Sequence, residues 1–87
     1  MTVYVDEAVH PFGRMKMCHM IADTKAELLL MADAIGVDRK WIQKEGTTHE
    51  HFDIAKSKRE FAVCFGAQEL TRKELGRILR ARRNEDT

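Results

Sequence analysis

The chain has 87 residues, of which 44% are hydrophobic and 33% are charged, and its formal net charge is +1. This length favours one domain with a modest core, and the composition is that of an ordinary globular protein. No apolar run approaches the roughly 20 residues that a membrane-spanning helix needs, and the N-terminal residues lack the pattern of a secretory signal. We therefore expect a cytoplasmic protein without a membrane partner.

The charges are distributed unevenly along the chain. Residues 71–84 carry six Lys or Arg and one Glu, a net charge of +5, whereas the remainder carries −4. The nearly neutral total therefore leaves room for one strongly basic surface near the C-terminus.

The first two predicted elements are strands, Val3-Tyr4-Val5 and residues 17–22, and the second is apolar on both alternating faces, as in a central strand. Residues 7–16 connect these two strands, and a connection of only ten residues favours an antiparallel return. An extended loop that makes the strands parallel stays open. Only the parallel arrangement places Asp6 at the same sheet edge as Asp23.

The first helix is predicted over about residues 25–35, because Thr24 and Glu27 form a capping box and Gly36 suits the residue after the helix. The run Trp41-Ile42-Gln43 that follows is the third candidate strand.

A second helix is predicted over about 58–65, with a capping box that starts at Ser57. Its inward residues are expected to be Phe61, Cys64 and Phe65. Residues 67–70 form a weak fourth strand. Thr71 and Glu74 form a third capping box, which predicts a helix over about 72–83.

The alternation of strands and helices predicts a single α/β domain over residues 1–84, with a short, mostly parallel or mixed sheet and three helices packed on it. Residues 85–87 are expected to form a frayed tail. The sequence leaves both a monomer and a homodimer open.

The segment T-H-E-H-F-D, residues 48–53, is the strongest candidate for a site. In extended backbone His49, His51 and Asp53 share one face, and two imidazoles with a carboxylate are suitable ligands for zinc or another divalent metal. The alternative is a solvated polar loop, in which one histidine makes a local hydrogen bond.

Two groups of basic residues suggest an anionic ligand. Lys58 and Arg59 lie at a predicted helix start, where the helix dipole already favours phosphate. Lys73, Arg77 and Arg80 follow helical spacing opposite the apolar stripe of the third helix, which predicts a surface for nucleic-acid contact. In both groups the alternative is side chains that only extend into water.

Several segments resemble a known family in both content and order. They are V-Y-V-D-E, C-H-M-I-A-D-T with A-E-L-L-L-M-A-D-A-I-G, W-I-Q, H-F-D-I and S-K-R-E-F-A-V-C-F-G-A. Over residues 1 to about 70 the chain resembles a small bacterial and phage family catalogued as domain of unknown function 4031, a likeness that implies no established activity. The recurring polar positions that it implies are Asp6, His19, Asp23, Trp41, Gln43, His51, Asp53, Lys58 and Arg59.

The resemblance changes the candidate ligand set. His49 lies outside the family motif, so the resemblance shifts the weight to His19, His51 and Asp53. Phe52 stands where many members are expected to have Tyr, which argues against a phenolic hydroxyl in the site of this chain.

The functional hypothesis is a polar site with His51 and Asp53 as its catalytic centre, at the C-terminal edge of the strands. Its ligand carries phosphate and is a nucleotide or a nucleic-acid end. If the site is catalytic, the His–Asp pair would either transfer a proton or hold a divalent metal that assists phosphoester hydrolysis. The alternative is a non-enzymatic module of phage origin that binds protein or nucleic acid through the basic C-terminal helix.

Overall fold

The structure is a computed structural model that describes residues 2–7, 10–12 and 15–85. The strands are β1 (Val3–Val5), β2 (His10–Phe12), β3 (Met15–Ala22), β4 (Phe52–Ala55) and β5 (Gln68–Glu69). The helices are α1 (Lys25–Ile35), a short 3₁₀ helix (Arg39–Trp41), α2 (Lys56–Cys64) and α3 (Arg72–Glu85). Of the predicted tail, residue 85 belongs to α3, and residues 86 and 87 lie outside the described part of the chain.

The strands form one mixed sheet with β3 at its centre, which confirms the α/β fold class. β4 pairs antiparallel with β3 along one edge, while β1 and β2 pair antiparallel with successive halves of the other edge. β5 lies outside β1 and is its parallel partner. The sheet is therefore mixed rather than mostly parallel, and the long apolar β3 is central, as its sequence predicts.

Alternate residues of the sheet pack into two separate apolar clusters. The larger cluster joins Cys18, Met20 and Phe52 of the sheet to α1 and α2 on one face. On the other face Ile21 packs against Leu75 of α3. His19 and Asp53 alternate with the residues of the larger cluster, so they lie on the α3 side of the sheet.

The antiparallel pairing of β1 with β3 decides the position of two predicted site residues. Asp6 follows β1 and donates its backbone N–H to the carbonyl of His19 at 3.1 Å. Asp23 follows the opposite end of this pair and accepts hydrogen bonds from the Thr2 backbone and the Tyr4 hydroxyl, each at 3.0 Å. The two carboxylates therefore lie at opposite ends of the β1–β3 pair.

One of the three predicted capping boxes is confirmed in full, because the Thr71 hydroxyl and the Glu74 carboxylate accept from each other's backbone amides. At Thr24 only half of the box forms: the hydroxyl accepts from the Glu27 amide, but the Glu27 carboxylate accepts from the Thr24 hydroxyl rather than from its backbone amide. The box at Ser57 is wrong, because β4 runs directly into α2, which begins at Lys56 after the uncapped residue Ala55.

The start of α2 also changes which of its residues face the core. Ala62 is fully buried, whereas Phe61 and Phe65 are 53% and 58% exposed and Cys64 is exposed as well. The predicted inward stripe of this helix is therefore wrong, since the strand before it sets the rotation of the helix.

The third predicted strand is also wrong. Trp41 ends the 3₁₀ helix, and of the predicted run only Gln43 pairs with another residue, as an isolated antiparallel bridge to His51. β2 and β4 were not predicted.

Within the described residues, no helix is long and apolar enough to cross a membrane.

Candidate functional site

Three potential metal ligands converge on the α3 side of the sheet. One ligand atom each from His19, His51 and Asp53 lies within 4.8 Å of the other two. Asp53 Oδ1 is 3.4 Å from His51 Nε2 and 3.8 Å from His19 Nε2. All three side chains are partly buried, so they are held by the protein and still reachable from solvent.

Strand pairing positions these side chains. His19 of β3 and Asp53 of β4 are directly opposite each other in the register, so both project from the same face. His51 precedes Asp53 by two residues and shares that face. Two backbone hydrogen bonds between Gln43 and His51 close the intervening 43–51 loop. The His19 and His51 rings meet edge to face, with centroids 5.3 Å apart.

Asp6 holds His19 in position through two hydrogen bonds. Its carboxylate is almost fully buried and accepts from the backbone N–H of His19 at 2.6 Å and from His19 Nδ1 at 2.7 Å. Arg59 donates to the Asp6 carbonyl at 2.6 Å and to the Glu69 carboxylate at 3.0 Å. Arg59 therefore braces Asp6, and Asp6 orients the His19 ring.

Hydrogen bonds define which nitrogen of each imidazole carries a proton. A carbonyl or a carboxylate only accepts, so His51 Nδ1 donates to the His49 carbonyl at 2.8 Å and His19 Nδ1 donates to Asp6. In the neutral rings both Nε2 atoms are then acceptors, and both lie within 4 Å of the carboxylate of Asp53. A cation between these groups, either a metal ion or an added proton, makes this arrangement favourable.

The protonation of His19 gives a testable dependence of stability on pH. The hydrogen bond to Asp6 raises the pKa of His19 above its ordinary value of 6.5, and burial opposes only part of that effect. A folded-state pKa above the unfolded one adds stability that is complete below the unfolded pKa and is lost as pH rises through the folded pKa. In chelator-treated protein, we expect the free energy of unfolding to fall above about pH 6.5.

Urea unfolding at a series of pH values measures this slope. In the Asp6→Asn variant the partner that raises the pKa is neutral, so the slope contributed by His19 should flatten. An identical pH dependence in both proteins would contradict this assignment.

A pocket of about 250 Å³ opens beside the cluster. Its polar lining includes Asp6, His19 and His51 from the site already described, together with His49, Lys44 and Arg72. Ile21, Leu75, Gly76 and Leu79 form its remaining wall. The pocket thus combines the two histidines of the cluster and the supporting Asp6 with two cations and an apolar wall.

Lys44 and Arg72 are the pocket residues that the sequence reasoning missed. Lys44 lies in the 43–51 loop with a positive φ of 53°, the left-handed conformation that non-glycine residues adopt rarely and that clusters at functional sites. Its carbonyl accepts from the amide and the hydroxyl of Thr47, which maintains the turn. The sequence carried a signal only for Arg72, as part of the basic C-terminal segment.

The other predicted site residues occupy different places. Trp41 is 59% exposed with Lys40 Nζ 5.1 Å from its ring centroid, and Gln43 contributes the backbone bridge to His51. Lys58 lies next to Gly36 at the end of α1, and its Nζ is 3.2 Å from the position that a Cβ atom on Gly36 would occupy. The remaining three, Lys73, Arg77 and Arg80, are exposed on α3.

Cys18, the neighbour of His19, does not take part in this cluster. Its side chain points to the opposite face and donates to the carbonyl of Ile54 at 3.4 Å. Burial raises the pKa of Cys18 to about 11, so the group is a neutral thiol at physiological pH rather than a nucleophile or metal ligand.

The fold and the site define a small mixed α/β protein with a histidine–aspartate cluster on one face of its sheet. The chain belongs to the family described as "Protein of unknown function (DUF4031)", whose model matches residues 3–82. Neither the curated proteins nor the solved structures include a significant match to the chain.

Proposed function

We propose that His19, His51 and Asp53 bind a divalent transition metal ion, with Zn²⁺ the best fit, and that the neighbouring pocket binds a phosphate ester for hydrolysis. The observation that carries this proposal is the way both imidazoles are held. Each Nδ1 donates to an acceptor of the protein, and each Nε2 lies within 4 Å of the same carboxylate oxygen, at 3.4 Å for His51 and 3.8 Å for His19. Metal-binding histidines have this arrangement, with a carboxylate or a carbonyl behind each ring.

The separations of the ligand atoms support a metal of this size. Nitrogen and oxygen ligands lie about 2.0–2.2 Å from zinc, so two of them at a tetrahedral angle are about 3.3 Å apart. The 3.4 and 3.8 Å separations around Asp53 Oδ1 are close to that value. Three protein ligands leave a fourth position for water or substrate, as in catalytic zinc sites.

The pocket residues fit the chemistry of phosphoester hydrolysis. A bound divalent metal supplies Lewis-acid chemistry that makes water a competent nucleophile near neutral pH. Lys44 and Arg72 would bind the non-bridging phosphate oxygens and neutralise charge that develops in the transition state. Water oxygen bonds to phosphorus as the ester P–O bond breaks, and a proton of that water passes to the departing oxygen, so a phosphomonoester yields an alcohol and phosphate.

A second candidate function is a binding module without catalysis. It is favoured by the exposure of Lys73, Arg77 and Arg80, which together present positive charge along α3. This candidate needs neither a metal nor a reaction, so zinc binding together with hydrolysis of a phosphate ester separates the two functions.

Isothermal titration of chelator-treated protein with Zn²⁺, Mn²⁺ and Mg²⁺ tests the proposal. We expect one equivalent of Zn²⁺ to bind, and Zn²⁺ at 100 times its Kd adds about 2.7 kcal/mol of stability. For a domain of this size that corresponds to a rise in Tm of more than about 10 °C. His51→Ala should abolish both effects.

The zinc-loaded protein should also hydrolyse bis(p-nitrophenyl) phosphate or p-nitrophenyl phosphate, and His51→Ala should not. An absence of zinc binding would overturn the metal centre. Zinc binding without hydrolysis of any phosphate ester would overturn the enzymatic part and favour the binding module.

A further inference from the structure

We propose, on the basis of the function above, that the substrate is the phosphorylated end of a single-stranded nucleic acid. The terminal phosphate would lie in the pocket between the metal ligands and Lys44 and Arg72. The strand would leave the pocket along the basic face of α3, which we define as Lys73, Arg77 and Arg80.

The size of the pocket limits how much of the ligand it encloses. Pockets that bury a drug-sized molecule measure about 300–1,000 Å³, whereas this one measures about 250 Å³. Its apolar wall is formed by Ile21, Leu75 and Leu79, and Gly76 adds no side chain there. A phosphate and part of one nucleotide would fill the pocket, and the rest of a longer ligand would extend outside.

The geometry of α3 indicates where that extension lies. Arg72, Gly76 and Arg80 are spaced by four residues and therefore lie along one side of the helix, with Lys73 and Arg77 on the adjacent line. Arg72 lines the pocket, and Arg80 lies about 12 Å further along the axis at 1.5 Å per residue. The positive charge of the pocket thus continues along the basic face.

The charge of the basic face is available to a ligand. Arg59 and Arg82 are engaged within the protein, where they donate to the carbonyls of Asp6 and Ala22. By contrast, among the side chains that the structure describes, no carboxylate forms a salt bridge with Lys73, Arg77 or Arg80. Glu74, on the same helix, accepts a hydrogen bond from the backbone amide of Thr71 and interacts with Arg77 through space without forming a salt bridge.

These features favour a nucleic-acid strand over a free nucleotide. A mononucleotide would fill the pocket and leave the basic face without a contact, whereas a strand places successive phosphates against it. A blunt duplex is too broad for its terminal phosphate to enter so small a pocket together with the paired bases. A single-stranded end satisfies both the pocket and the basic face.

Fluorescence anisotropy with zinc-loaded protein tests this inference. The probes are labelled 12-nucleotide strands with a non-hydrolysable phosphonate in place of a 5′-phosphate or a 3′-phosphate, the strand with neither, the blunt duplex of the same sequence, and a labelled mononucleotide. One of the strands with a phosphonate end should bind at least tenfold more tightly than the strand without it, the duplex or the mononucleotide. Arg72→Ala should remove the preference for the phosphorylated end.

The double variant Lys73→Glu/Arg77→Glu isolates the basic face. We expect at least a tenfold loss of affinity for the strand and unchanged binding of the mononucleotide. The slope of log affinity against log salt should fall by about 1.4, because two phosphate contacts at about 0.7 each are lost. The matched control Lys40→Glu/Lys56→Glu makes the same change of charge at exposed residues outside the pocket and should bind the strand normally.

Three results would overturn the inference: equal affinity for strand and mononucleotide, preference for the duplex, or equal loss in the control variant. Zinc binding is titrated on the same samples. A failure of zinc to bind would count against the proposed metal centre, whereas normal zinc binding without end preference would count against this inference alone.

Discussion

Replacing His19 by alanine is expected to abolish high-affinity zinc binding, measured by isothermal titration of chelator-treated protein. His19 Nε2 is one of three converging ligand atoms, so its removal leaves only His51 and Asp53. Loss of an outer partner of a metal site costs about 10–100-fold in affinity, and loss of a direct ligand should cost more. Far-UV circular dichroism and urea unfolding check that the variant is folded.

His49→Ala is the matched control for this experiment. The segment T-H-E-H-F-D alone predicts His49 as a ligand. In the structure the His49 carbonyl accepts a hydrogen bond from His51 Nδ1, and His49 is one of the residues that line the pocket. We expect this variant to bind zinc with nearly wild-type affinity.

A second variant, His19→Gln, guards against misfolding, since the glutamine side chain can still donate a hydrogen bond to Asp6. Wild-type zinc affinity in folded His19→Ala or His19→Gln would rule out His19 as a ligand.

Replacing Asp6 by asparagine is expected to weaken zinc binding by about 10–100-fold without removing any ligand. The Asp6 carboxylate accepts two hydrogen bonds from His19, one from its backbone and one from its ring. Asparagine has one acceptor oxygen, so its amide N–H group faces one of these donors. The buried mismatch should also lower the free energy of unfolding by about 1–3 kcal/mol.

Asp33→Asn provides the comparison for this substitution. Asp33 also forms a close ion pair, with Arg39 at 2.6 Å, but both side chains are about half exposed. Exposed pairs contribute about 0–1 kcal/mol, so we expect little change in stability and none in zinc affinity. Zinc affinity that is unaffected by Asp6→Asn would show that Asp6 does not orient a metal ligand.

The helices were predicted well where local chemistry determines their ends. α1 matches the predicted bounds, because Thr24 caps its start and Gly36 ends it in the left-handed conformation with a φ of 79°. The prediction of α2 is less accurate because the start of this helix depends on β4, and the residues around Ser57 carry no pattern that predicts that strand. β4 itself is only four residues long, and its pairing partner is more than 30 residues away in sequence.

The site residues also differ in whether a local sequence pattern predicts them or only contacts between distant segments bring them together. The spacing of His51 and Asp53 was readable from the motif, because alternate residues of extended backbone share a face. For His19, its position in the middle of an apolar strand favours a core residue, and only the family resemblance favours a ligand. No sequence pattern predicts Lys44 as a pocket residue. Its position depends on a positive φ within a loop that the bridge between Gln43 and His51 closes.

By itself, the sequence determined the α/β class, the starts of α1 and α3, the central position of β3 and the concentration of basic residues on the last helix. These properties arise from capping, hydrophobic periodicity and charge along short stretches. Only the tertiary structure decided that His19 joins His51 and Asp53, that Asp6 supports them while Asp23 lies elsewhere, and that Lys44 and Arg72 share their pocket. The physical reason is that register and strand direction follow from burying both faces of the sheet, and that burial depends on the whole chain at once.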